Sequence, residues 1–164
     1  MTDLFNQTTT IKAITLWQPW ASLIAAGVKR HETRSWATSY RGPIAIHAGQ
    51  TIDVAGAPEA LCAAALGANW RRVIPVGMIL AVGELTACVE ASRLAPSLTT
   101  ADREAGNFEA GRFAWRIDNM RPLAQPVPAT GRQGLWNWSA PRDLGAHLRP
   151  VLNHAAQARY IGWA

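Results

Sequence analysis

Three ionisable side chains of different kinds crowd one short stretch of this chain: Lys29, Glu32 and Arg34, all just beyond Gly27. On extended chain, residues two apart point to the same side, so Glu32 and Arg34 share a face and Thr33 between them points the other way. A lysine just past a helix end reaches the same carboxylate. In a partly buried cleft desolvation lowers the pKa of such a lysine, and the Lys–Glu pair becomes able to transfer protons. On an open surface the same three residues would be an ion-pair cluster capping a helix, worth about 0–1 kcal/mol. Lys29 stands out because Lys12 is the only other lysine among sixteen basic residues.

Immediately upstream, Trp17, Gln18 and Pro19 stand where an apolar strand gives way to a helix. Such junctions commonly face a cleft, where an indole stacks on a planar heterocycle and a glutamine bonds its edge. The competing reading is core packing, which the place of Trp20 on the apolar face of the helix favours. Tyr40 before the Arg41-Gly42 turn and His47 in PIAIHA are packing residues by default, although both flank the next strand and so border the same region. Asp102 and Glu104 read as solvated acids on a short helix. The Gly131-Arg132-Gln133-Gly134 turn differs in kind: its glycines allow close backbone approach, while Arg132 and Gln133 offer donors to a phosphate or a carbonyl. It matches no Walker or Rossmann pattern.

The elements that must position these residues follow from apolar periodicity and punctuation. Ile11 to Leu16 reads as a strand ended by Gln18-Pro19; Pro19 then suits a first helical turn, with Trp20, Leu23, Ile24 and Val28 at helical spacing and Gly27 as C-cap. Glu32 to Trp36 is extended, and Pro43 to Ala48 is a strand. A helix starts near Pro58, and Val76 to Val89 is a long strand with a bulge or bend at Gly83. A short helix capped by Thr100 carries Asp102 and Glu104. Phe113 to Met120 reads as a strand, Pro122, Pro126 and Pro128 as an extended connector, and LWNW as a last strand. Ala146 to Tyr160 has the pattern of a terminal helix with a break near Pro150. About six short strands with interleaved helices, rich in bulge and turn signals, give an α+β domain whose sheet is expected to curl into a small barrel.

The bulk properties narrow the classes. With 164 residues, 49% hydrophobic and 16% charged, the chain is one domain's worth and is not disordered throughout. A net charge of +5 and a pI near 10.0 favour an anionic partner. The arginines are scattered through Arg71-Arg72, Arg103, Arg112 and Arg142, which favours a small-molecule site over a basic RNA-binding stripe. Cys62 and Cys88 lie apart in apolar settings and read as buried reduced thiols. His31, His47, His147 and His154 show no metal-ligand spacing, so neither a metal nor another cofactor is implied. No apolar run has the length of a membrane span and the N-terminus has no signal-peptide pattern, so a cytoplasmic protein is expected. The sequence leaves the oligomeric state open.

The segments LWQPWASLIAAGVKRHETR, YRGPIAIHAG and FAWRIDNMRPLAQPVPATGRQGLWNW together resemble the ASCH domain family of the PUA-like superfamily. The family's GxKxxExR signature falls on Gly27, Lys29, Glu32 and Arg34, and the resemblance covers Lys12 to Trp138. It implies a PUA-like barrel over 11–140; the sequence pattern adds a flexible polar lead over residues 1–10 and a helical extension over 141–164 expected to pack on the barrel. The chain resembles free-standing bacterial N(4)-acetylcytidine amidohydrolases and is similar to a human endothelial ASCH protein. Their lysine falls on Lys29. Their catalytic threonine falls on Glu32, with Thr33 adjacent, and their distant glutamate falls in the Asp102–Glu104 region, at Glu104. The resemblance thus implies metal-independent hydrolysis of N(4)-acylated cytidine or cytosine compounds. Trp17 would stack on the base and Gln18 or backbone groups would orient it; Lys29 and Glu32 would activate water, or Lys29 would protonate the leaving amine while Glu104 assists, and Arg34 or Arg132 would stabilise the oxyanion. The alternatives are an RNA-binding module without catalysis, or a ribonuclease using His47 and Lys29.

Overall fold

A computed structural model describes residues 8–151 of the chain. Six strands form one sheet: β1 (Thr9–Gln18), β2 (His31–Arg34), β3 (Gly42–Ile52), β4 (Met78–Glu90), β5 (Phe113–Pro128) and β6 (Leu135–Ala140). Their order is β2-β5-β4-β3-β1-β6, with β1 and β3 parallel and every other pair antiparallel. The helices are short: α1 (Trp20–Ala25), α2 (Glu59–Leu66), α3 (Trp70–Val73), α4 (Ala91–Leu94), α5 (Thr100–Glu104) and α6 (Leu144–His147). The class is α+β, as the sequence reading anticipates. The sheet is not closed, because no ladder joins β2 to β6 among the described residues.

Alternation along the strands divides the interior in two. From β3, Ile44, Ile46 and Ala48 face one core with Ile14 and Leu16 of β1, Leu23 and Ile24 of α1, Trp70 and Trp115. Ala45 faces the other core with Ile11, Ala13, Ile79, Leu123, Trp136 and Trp138. Leu23, Trp70 and Trp115 are fully buried, so truncating any of them costs several kcal/mol in transfer and cavity terms.

Two stretches depart from the sequence reading. Pro122, Pro126 and Pro128 lie inside β5, not in a connector after it. The reason is local. β2 covers only Phe113–Arg116, so beyond that the outer side of β5 has no strand to which it must donate, and proline is tolerated there. β5 pairs with β4 from Phe113 to Pro122 and again at Val127 and Pro128, with register shifts between Ile79 and Ala81, between Val82 and Glu84 and between Leu85 and Ala87; the middle one falls at Gly83, where a Cβ would come within 2.8 Å of Ile117 and Met120. The bulge expected at Gly83 is thus present in the β4–β5 pairing. Thr99, not Thr100, caps α5, its hydroxyl accepting the Asp102 N–H at 3.1 Å. The terminal helix expected over 146–160 lies largely outside the described residues. Within them, α6 ends at His147 and Leu148 bridges to Leu123.

Candidate functional site

α1 places the lysine. Gly27 adopts φ 74°, a left-handed conformation natural to glycine, and the N–H groups of Val28 and Lys29 both return to the Leu23 carbonyl at 3.0 Å. The reversal turns Lys29 inward, where it is 3% exposed. Its ammonium donates to the carbonyls of His31 and Ala105, each at 2.7 Å, and lies 3.5 Å from Glu32 Oε2. The other Glu32 oxygen is 2.9 Å from Arg34 Nε, an ion pair whose N–H is off the line of a hydrogen bond. Arg34 Nη2 in turn donates to the Thr15 carbonyl at 3.0 Å. Glu32 and Arg34 therefore do share a face of β2, and the carboxylate is held between two cations in a buried setting. Burial pushes the Lys29 ammonium below the ordinary lysine range, against the opposing pull of Glu32 and Asp102.

This cluster forms the floor of a cavity of about 640 Å³, within the range of small-molecule sites. Trp17, Trp20 and Trp36 line it, together with Thr33, Asn107, Arg112 and Glu104. Trp17 is 58% exposed and Trp36 37%, so two indoles present ring surface to solvent. Thr33 borders the cavity too, although strand alternation points it elsewhere. Its hydroxyl accepts the Asn107 N–H at 3.2 Å, because the chain after α5 folds over β2. Glu104 lies at the exposed margin. Asp102, read as a solvated acid, is instead buried. It accepts from Arg30 N and Thr99 Oγ1 and lies 3.3 Å from His31 Nδ1. Those contacts outweigh burial and hold its carboxyl below the usual carboxylate range.

A second cavity of about 740 Å³ adjoins the first and shares Thr15, Trp17, Arg34 and Trp36 with it. Arg132 and Gln133 line this second cavity and not the first, as does His47. His47 has both ring nitrogens engaged. Nε2–H donates to the Ala129 carbonyl at 2.9 Å, and Nδ1 accepts from the Thr15 hydroxyl at 3.2 Å, which itself accepts from Trp136 Nε1 at 3.1 Å. Burial also pushes its pKa down, so the ring is neutral at pH 7. This is a satisfied interior histidine rather than a free base.

Three expected binding residues do not contribute side chains to either cavity. Gln18 is buried, and its amide donates to Ser22 Oγ and to the Pro75 carbonyl while its oxygen accepts the Ser22 N–H. It caps α1, a task that Pro19 at the N-cap position has no side-chain acceptor to perform. Pro19 is buried at that same turn. Tyr40 donates to the Pro43 carbonyl at 2.6 Å and braces its own turn. Conversely, the sequence reading passed over Arg112, which donates to the Thr33 carbonyl at 3.0 Å, and Asn107, Thr15 and Trp36. The cue available for Arg112 was its place one residue before β5, opposite the end of β2. Among the described residues no group of three His, Cys, Asp or Glu side chains gathers, and no helix is long and apolar enough to cross a membrane.

The activating signal cointegrator 1 proteins of Homo sapiens and Mus musculus are 25% and 24% identical over 143 residues, covering 81% of this chain. The chain spans 23% of the length of these curated relatives. The crystal structure of an ASCH protein from Zymomonas mobilis aligns with a TM-score of 0.49 at 16% identity, over 83% of this chain and 91% of that one. A variant of that protein gives 0.49 over 82% and 93%, also at 16% identity. A family model of the ASCH domain matches residues 14–125, more than half of the chain and inclusive of Lys29, Glu32 and Arg34. The chain belongs to the ASCH domain family.

Proposed function

We propose that the first cavity hydrolyses the N(4)-acyl group of an acylated cytidine. The observation that carries this reading is the buried Lys29–Glu32–Arg34 cluster at the floor of a cavity walled by exposed indoles. A planar base stacks on Trp17 or Trp36, and its acylamino group points to the floor. Glu32 takes a proton from a water as that water attacks the acyl carbonyl, and returns it to the departing exocyclic amine. The products are a carboxylic acid and the free cytosine amine. Lys29, whose ammonium is committed to two carbonyls and to Glu32, orients the carboxylate and offsets its burial. Arg34 and Arg112 stand on the same wall and answer the charge that develops on the carbonyl oxygen. Arg132, in the adjoining cavity, is not part of this step. Thr33 is the other candidate nucleophile, but its hydroxyl is bonded to a backbone N–H and not to a base, which favours water.

Purified protein mixed with N(4)-acetylcytidine should release cytidine and acetate in equal amounts by chromatography, and Lys29→Ala should remove the release. Full activity in that variant would sink the mechanism. A second reading rests on the two exposed indoles beside arginines: a module that stacks RNA bases without catalysis. Under it, no cytidine appears, while single-stranded RNA still quenches tryptophan fluorescence.

A further inference from the structure

The second cavity has no role in the hydrolysis, yet its lining is chemically distinct. It holds two guanidinium groups, Arg34 and Arg132, and no aspartate or glutamate, whereas the first cavity holds Glu32 and Glu104 as well as its cations. Arg34 is already engaged with Glu32 on the other side. Arg132 is exposed and has no carboxylate within ion-pairing distance among the described residues.

The loop that carries Arg132 is held in place. A Cβ at Gly131 would sit 2.6 Å from the His47 ring and 2.8 Å from Thr15 Oγ1, so the backbone lies directly on those buried groups. Two residues back, Ala129 accepts from His47 Nε2 and donates to the Gly77 carbonyl at 3.1 Å. The guanidinium is thus presented from a fixed base over an acid-free cavity. Each cavity alone is the size of a drug-like ligand, and the two lie side by side with Thr15, Trp17, Arg34 and Trp36 lining both, so together they offer more room than one nucleoside needs.

We infer that the second cavity is a phosphate-bearing subsite. It receives the phosphate of a nucleotide whose acylated cytosine occupies the first cavity, and Arg132 is its principal contact. This rests on the reading of the first cavity given above. The preferred substrate is then an acylated cytidine nucleotide, either a free monophosphate or a residue within a single strand, with the bare nucleoside turned over less efficiently.

The test compares N(4)-acetylcytidine, its 5′- and 3′-monophosphates and a short single-stranded oligoribonucleotide carrying one N(4)-acetylcytidine. A charge-assisted contact of this kind predicts a kcat/KM about tenfold higher for at least one phosphorylated substrate, with the advantage shrinking as salt rises. In Arg132→Ala the ratio of phosphorylated to unphosphorylated kcat/KM should fall towards one. Preference for a monophosphate or for the oligonucleotide identifies the source of the phosphate. Equal turnover of all substrates by the unmodified protein, or an equal loss on all of them in Arg132→Ala, overturns the subsite. Tryptophan fluorescence titrations with cytidine and its monophosphates separate this inference from the reaction. If nothing is hydrolysed but the monophosphates bind more tightly, and do so through Arg132, the subsite stands and the hydrolase reading falls. Equal binding of cytidine and its monophosphates removes the subsite.

Discussion

Lys29 and His47 are both buried, both titratable and both pushed down in pKa by burial, and each lines one of two adjoining cavities. Their partners differ. His47 is held by neutral groups, a carbonyl and a hydroxyl, that satisfy both ring nitrogens with the ring uncharged. Lys29 is held by two carbonyls and a carboxylate, an arrangement that places a second charge, Glu32, in the same dry space. Burial alone therefore does not mark a reactive group. What separates the two is whether the neighbourhood needs a charge: around Lys29 it does, around His47 it does not.

The contrast is broken most severely at the lysine. Lys29→Ala leaves Glu32 buried with Arg34 as its remaining ion-pair partner among the described residues. Unfolding by denaturant should show a loss of about 3–5 kcal/mol, in addition to the loss of hydrolysis. His47→Phe removes two interior hydrogen bonds without stranding a charge, so about 1–3 kcal/mol is expected from the same measurement. A larger loss at His47 than at Lys29 would reverse the assignment.

Asp102 gives a finer probe, because it reaches the lysine only through space and through His31, whose carbonyl accepts from Lys29. Asp102→Asn removes a negative charge that holds the ammonium form, so the Lys29 titration should move further down. If acylcytidine hydrolysis depends on the charged lysine, the alkaline limb of its pH profile should move to lower pH. An unmoved profile with only lower stability would make Asp102 purely structural.

The smallest effect concerns pH and stability. His47 has a folded pKa below its ordinary 6.5, so the unfolded chain binds more protons between those two values. Stability is fully present above 6.5 and declines as pH falls towards the folded value. In His47→Phe this part of the acid limb should flatten in denaturation curves taken from pH 7 to 5. An unchanged slope would mean that the ring is accessible enough to charge in the folded state.

Much of the site was legible in the sequence because it is local. Gly27, Lys29, Glu32 and Arg34 lie on one helix end and one short strand, where helical capping and strand alternation decide which way each points. The residues that were misjudged depend on distant chain. Gln18 looked like a donor facing a cleft, but Pro75, far along the chain, supplies the carbonyl that turns it into a helix cap. Asp102 looked solvated until β2 brought His31 and Arg30 N against it. Arg112 enters through the β2–β5 pairing, and no spacing rule connects it to Lys29. The prolines of β5 misled for a related reason: proline excludes a strand only where a neighbour demands its N–H, and β2 is too short to do so.

The bond from Arg34 to the Thr15 carbonyl joins β2 to β1, which are separated by β5, β4 and β3 in the sheet. Among the described residues no backbone ladder closes this gap, and the Arg34 side chain supplies a hydrogen bond that crosses it. Widening that seam would give up this charge-assisted bond, whereas parting any two neighbouring strands would break a whole ladder. The same side chain also belongs to both cavities, and its other face neutralises Glu32. An anion that drew Arg34 away would therefore give up the bond across the gap and unbalance the Glu32 carboxylate in one movement.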